Sequence, residues 1–194
     1  MHPLVMHDPV VAILIVGSVA LWFFVEAVLR GRFRSETRTA PEWSYFLLTF
    51  ALLGGSAIST VAAAYNLAPL PGGVWWPVIA GVALIWIGSA LRVWSIVVLG
   101  RYFKLMVVVQ ENHQVIDRGP YRWLRHPSYL GGIMLMAGIG LAEGGWVSTM
   151  VMLFAGIAAF VVRLRFEERV LVETLGEEYS AYIRRTARLL PGVY

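Results

Sequence analysis

The run VWWPVIAGVALIWIGSALRVWSIVVL, residues 74–99, decides the fold. Its only charged residue is Arg92. As a helix this run reaches about 39 Å at 1.5 Å per residue, more than the roughly 30 Å of a bilayer's hydrocarbon core. A helix on a soluble protein keeps a polar face, and this one has none. Similar apolar runs lie on both sides of it. They predict helices over residues 10–29, 43–65, 128–141 and 146–163, the last continuing as an amphipathic helix to about 186. The expected fold is therefore all-α, a polytopic integral membrane protein with five transmembrane helices.

Composition agrees. Of 194 residues, 58% are hydrophobic and 14% charged, against about half and a quarter in an ordinary soluble domain. Five helices and their connections use nearly the whole chain, so residues 1–194 are expected to form a single membrane domain. Residues 10–99 hold helices 1–3, and residues 100–194 hold a polar connector, helices 4 and 5 and the amphipathic end. The first nine residues carry no Lys or Arg, so the first apolar run reads as a retained helix and not a signal peptide.

Charge placement predicts the orientation. Arginines crowd residues 30–42, 100–127 and 163–194, while the hairpins at 66–73 and 142–145 are nearly uncharged. The positive-inside rule puts the three basic parts in the cytoplasm, with the N-terminus outside and the C-terminus inside. A bacterial chain would then sit in the cell membrane. The net charge of +4 reflects these arginines, and no nucleic-acid partner is expected. There is no cysteine, which excludes disulfides and thiolate chemistry. The four histidines have no metal-ligand spacing, so no metal is expected. Neither a dinucleotide-binding glycine fingerprint nor a phosphate-binding loop is present.

Two polar stretches stand beside the hydrocarbon, where ionisable groups are costly unless paired or functional. The first runs from Gly119 to Gly131 and contains Arg125-His126-Pro127-Ser128-Tyr129. Pro127 suits a first helical position, and the amides of residues 128–131 would face an anionic group. Snorkelling by Arg122 and Arg125, with His126 as a polar cap, is the plain alternative. The second runs from Arg163 through Glu167 and Glu168 to Tyr182. Arg163 and Glu167 are four apart and share a helix face. Glu168 lies about 100° further round, so the two glutamates cannot both answer Arg163. Glu173, Glu177 and Arg184 are expected on a solvated face. Arg92 is expected to snorkel, with lining a cavity as the alternative, and Glu26 in helix 1 is open. The dense glycines and alanines of helices 4 and 5 read as close packing.

These stretches resemble the isoprenylcysteine carboxyl methyltransferase family, membrane enzymes that methylate the carboxylate of a lipidated cysteine using S-adenosyl-L-methionine. The likeness covers residues 101–194. It rests on residues 113–116, the Gly119/Tyr121 pair, residues 125–129 with Gly131, the Arg163…Glu167-Glu168 helix, and Gly176-Glu177-Glu178-Tyr179…Tyr182. The resemblance implies a cytoplasmic cofactor pocket formed by the C-terminal half. It implies cofactor binding by Gln110, His113, Gln114, Val115, Ile116, Tyr121, His126, Pro127, Ser128, Tyr129 and Glu167. Arg163 would hold the substrate carboxylate, so Arg163 and Glu167 would be the catalytic pair. The implied partners are a lipophilic carboxylate such as an isoprenylated cysteine, and membrane lipid. The chemistry is consistent with this. A carboxylate is already ionised at neutral pH and needs alignment more than a base. An arginine holds it through a fork of donors. Three alternatives stay open: methylation of a phospholipid amine or small thiol, a nicotinamide-dependent membrane reductase, and a non-enzymatic membrane binding or assembly protein.

Overall fold

The computed structural model describes residues 9–32, 43–73, 75–100 and 115–190. The loop 33–42, most of the connector and both chain ends lie outside that set. Five helices follow in order: α1 (Pro9–Arg32), α2 (Trp43–Ala64), α3 (Trp75–Leu99), α4 (Pro127–Ala142) and α5 (Trp146–Arg185). A 3-10 turn, Gly119–Arg122, precedes α4. The start of every helix falls within one residue of the sequence expectation, because each apolar run is bounded by a proline, a glycine or a charge. In lipid only a helix satisfies its own backbone, so length and apolarity suffice to make one.

Four helices, α1, α2, α3 and α5, are long and apolar enough to cross a membrane. At 16 residues, α4 reaches about 24 Å. Large side chains such as Ile13, Phe24, Phe46, Phe50 and Ile79 are more than half exposed along these helices. Such a surface would aggregate in water and is matched by hydrocarbon. The chain is an integral membrane protein.

α4 is the centre of the bundle. It packs between α3 and α5, while α1 flanks α3 and α2 flanks α5. Glycines set the α3–α4 distance. A Cβ on Gly88 would come within 2.5 Å of the Gly131 carbonyl, and one on Gly81 within 2.6 Å of the Gly138 carbonyl. Both pairs are seven residues apart on each helix, so antiparallel backbones touch along one seam. On the α5 side, Gly132 faces the Phe160 ring and Gly140 faces the Ser148 backbone. The small residues of α4 thus do the packing expected of them. Their α3 counterparts, Gly81 and Gly88, complete a seam that the sequence reading saw from one side only.

One end of the bundle carries the two short hairpins, which pair with each other. The Leu70 amide donates to the Gly144 carbonyl at 3.0 Å and the Trp146 amide to the Ala68 carbonyl at 2.8 Å. Glu143 in the second hairpin turns inward and is buried, so this loop is less polar outward than its composition implies. Its carboxylate accepts hydrogen bonds from Ser59 and from Thr60 (3.0 Å). At the opposite end α5 runs on for about 60 Å in all. It breaks at Gly176, whose φ of 56° and ψ of −125° are a conformation open essentially to glycine alone.

Candidate functional site

The polar site assembles where α4 begins and α5 passes it. Pro127 is fully buried at the first position of α4, and His126 caps the helix without a side-chain cap bond. The amides of Tyr129 and Leu130 both donate to the His126 carbonyl, at 3.0 and 3.1 Å. They are therefore not offered to an anion, contrary to the sequence expectation. A proline start leaves the His126 carbonyl pointing into the first turn, where its nearest donors are these two amides.

His126 and Tyr129 stack, with ring centroids 5.3 Å apart and planes 11° from parallel. The other edge of Tyr129 leans on Phe160 of α5 at 5.2 Å. The Tyr129 hydroxyl stands between the two α5 residues singled out from sequence. It donates to Glu167 and accepts from Arg163 Nε at 2.9 Å. Arg163 is only 4% exposed, and Glu167 is half-buried. Four-residue spacing does place Arg163 and Glu167 on one face, and Tyr129 bridges them.

Glu168 faces a different group, as its 100° offset requires. Its carboxylate accepts from Arg125 Nε at 2.8 Å and from Arg188 Nε at 2.8 Å, and lies 3.3 Å from His126 Nε2. Arg125 also reaches the carbonyls of Ile183 (3.0 Å) and Thr186. Arg125 and His126 are thus buried partners of α5 and not snorkelling groups.

The chain after α5 closes the same corner. The Arg125 amide donates to the Ala187 carbonyl at 2.8 Å and the His126 amide to the Arg188 carbonyl at 3.1 Å. The Tyr182 hydroxyl donates to the Tyr121 carbonyl at 2.7 Å. Tyr121 is buried in the 3-10 turn. Burial, and after it the charge of Glu167, raises its phenol above the ordinary range and keeps it neutral. Val115 and Ile116 are half-buried, and the Val115 amide donates to Glu178 Oε1 at 3.3 Å, just past the Gly176 break. Glu173, Glu177 and Arg184 are exposed as expected, with Arg184 donating to Glu177 at 2.7 Å.

Of the residues anticipated from sequence, Tyr121, His126, Tyr129, Arg163 and Glu167 come together here. Gln110, His113 and Gln114 lie outside the described residues. Pro127 is buried in the helix start. The Ser128 hydroxyl turns away to α3, where it accepts from Arg92 Nη1 at 2.8 Å. Arg92 therefore does not snorkel. It is 7% exposed and forked onto Glu26 of α1, with Nε 3.0 Å from Oε2. A matching carboxylate inside the bundle costs less than stretching to the surface. Sequence reasoning also missed the joining of Arg125, Arg188 and Glu168, because their partnership spans 20 to 63 positions. Among the described residues no group of three or more His, Cys, Asp or Glu could hold a metal.

The sequence model of the isoprenylcysteine carboxyl methyltransferase family matches residues 81–173. This stretch runs from the α3 seam to the middle of α5. The protein-S-isoprenylcysteine O-methyltransferase B of Arabidopsis thaliana is 28% identical over 121 residues, covering 61% of each chain. The Saccharomyces cerevisiae protein-S-isoprenylcysteine O-methyltransferase is 29% identical over 115 residues, 58% of this chain and 48% of the relative. The matched part thus spans between about half and three-fifths of these relatives' length. Among solved structures, a eukaryotic intramembrane Ras methyltransferase, isoprenylcysteine carboxyl methyltransferase, superposes with a TM-score of 0.70. It does so at 20% identity, covering 97% of this chain and 70% of the other. That likeness extends the shared fold to α1 and α2.

Proposed function

We propose that the chain is a member of the isoprenylcysteine carboxyl methyltransferase family, whose sequence model it matches over residues 81–173, and that it methylates the carboxylate of a lipophilic, isoprenylcysteine-like substrate with S-adenosylmethionine. The observation that carries the reading is the Arg163–Tyr129–Glu167 chain at the α4–α5 contact, with Arg163 buried and Glu167 half-buried. When bound, the cofactor supplies an electrophilic methyl group on a sulfonium. The residues fit such a group. Glu167 is a half-buried carboxylate held by Tyr129. The stacked His126 and Tyr129 rings beside it offer the flat aromatic surface that suits a purine or a cation.

Each side chain then has a separate task. Arg163 binds and orients the substrate carboxylate, and its charge does not depend on pH. Tyr129 fixes the Arg163 fork from one side. Glu167 balances the positive charge of the cofactor. The neutral Tyr121 hydroxyl and the apolar helix walls keep water from the attacking oxygen, which matters more than a base when the nucleophile is already an anion. Glu168 supports this choice of nucleophile. An amine or thiol would need a proton acceptor, and Glu168 is committed to Arg125, Arg188 and His126.

The proposed topology has five spans, N-terminus outside and C-terminus in the cytoplasm, with α4 crossing in register with α3 along their glycine seam. The cofactor pocket then lies at the cytoplasmic end, and the lipid tail enters sideways between helices. The test is methyl transfer from labelled cofactor to a panel of lipophilic carboxylates by purified protein in lipid nanodiscs, with calorimetry of S-adenosylhomocysteine. Transfer to carboxylates with a rate flat above about pH 6 is expected. Tight binding of a nicotinamide, or no binding of the homocysteine product, overturns the proposal.

A further inference from the structure

We propose that Arg92, Glu26 and Ser128 are a positioning unit that sets the first turn of α4, and with it His126 and Tyr129, for the reaction above. The inference rests on that reading of the site. It starts from a deficiency at the start of α4. His126 makes no side-chain cap bond, its ψ of 55° is not the extended value of an ordinary cap, and Pro127 has no amide. The orientation of this turn must come from tertiary contacts.

Arg92 supplies one from α3. Its Nη1 donates to both the Ser128 hydroxyl (2.8 Å) and the Ser128 carbonyl (3.1 Å). Its Nε and Nη2 are taken by the two oxygens of Glu26. Ion pairing alone would be satisfied by Glu26. The third arm of the guanidinium is what reaches the helix that holds the chemistry. A lysine has no rigid fork to serve both partners. The contact is stiff, since a Cβ on Gly131 would lie 3.1 Å from the Arg92 amide nitrogen. Two backbones meet there with no side chain between them to absorb a shift.

Ser128 immediately precedes Tyr129, so any rotation of this turn displaces the hydroxyl shared by Arg163 and Glu167. One turn further along α3, Trp94 and Val98 lie against Gly119 of the 3-10 turn that carries Tyr121. A single stretch of α3 therefore holds both parts of the cofactor corner. Glu26 gives α1 a place in the same unit. Toward its other end α1 packs Val11 and Ile15 with Val78 and Ala142.

The experiment uses the full chain in nanodiscs, comparing Arg92→Lys, Ser128→Ala and the double variant with wild type. Three readouts are taken: kcat and lipid KM, S-adenosylhomocysteine affinity, and backbone amide exchange across residues 126–131. Arg92→Lys is expected to lower kcat by about 10- to 100-fold, with lipid KM within about 2-fold. Its cofactor-product affinity should fall and exchange at 126–131 should quicken. Ser128→Ala should show a smaller change of the same kind. The double variant should be no worse than Arg92→Lys, since both act through one contact. Additive losses, or unchanged exchange at 126–131, overturn the proposal. If Arg92→Lys does not fold, Ser128→Ala leaves the Glu26 pair intact and decides by the same exchange measurement. Wild-type protein without methyl transfer would remove the functional reading, whereas the exchange result judges the positioning unit either way.

Discussion

Two buried glutamates stand at opposite ends of this bundle and are held in opposite ways. Glu168, beside the proposed site, is surrounded by Arg125, Arg188 and His126. Glu143, in the far hairpin, meets the hydroxyls of Ser59 and Thr60. Hydroxyls satisfy a carboxylate's geometry but do not offset its charge, so burial raises the Glu143 pKa despite those bonds. Cations do both, at the cost that removing the anion strands several charges at once. One end is therefore built to hold charge in place, and the other only to tie α2 to the α4–α5 hairpin.

The largest effect expected from breaking this contrast is at Glu168. Glu168→Ala leaves buried Arg125 without its anion and should destabilise by about 3–5 kcal/mol. Thermal unfolding in detergent would show this, with loss of cofactor-product binding. Glu168→Gln, which keeps the shape, should lose nearly as much. Next is Arg163→Ala, which should insert and fold but lose at least about 100-fold in methyl transfer. Arg163→Lys should recover only part of it, since a lysine has no fork. Full activity in Arg163→Ala would remove the carboxylate-anchor assignment.

The glycine seam sharpens the comparison, because it runs past both ends. Gly81→Ala and Gly131→Ala each force a Cβ against a facing backbone and should each cost about 1–3 kcal/mol. Only Gly131→Ala, at the Arg92 end, should also weaken S-adenosylhomocysteine binding in calorimetry.

The smallest effect is at Glu143. A carboxyl whose pKa is higher when folded binds its proton more tightly in the native state. Its contribution is full below the ordinary value of 4.5 and fades as pH rises through the folded value. Glu143→Gln keeps a partner for Ser59 and Thr60 without the charge. It should stay within about 1 kcal/mol of wild type at low pH. At higher pH it should match or exceed wild type, flattening the pH dependence of unfolding. Methyl transfer should not change.

Much of this molecule was legible in its residue order. The apolar runs set the five helices, because a backbone in hydrocarbon has no other way to satisfy itself. The 3.6-residue period set Arg163 and Glu167 on one face and Glu168 off it. The break at Gly176 was not legible, since a glycine inside a helical run does not announce its φ and ψ. Tertiary structure alone decided which charges meet. Nothing in residues 26, 92 and 128, or in 125, 168 and 188, announces that each trio shares one spot, because ion pairing is fixed by distance in space. It also decided that the Tyr129 and Leu130 amides turn to His126 and that the Tyr129 hydroxyl bridges Arg163 and Glu167. A helix period tells which way a side chain points, and only packing tells what it finds there.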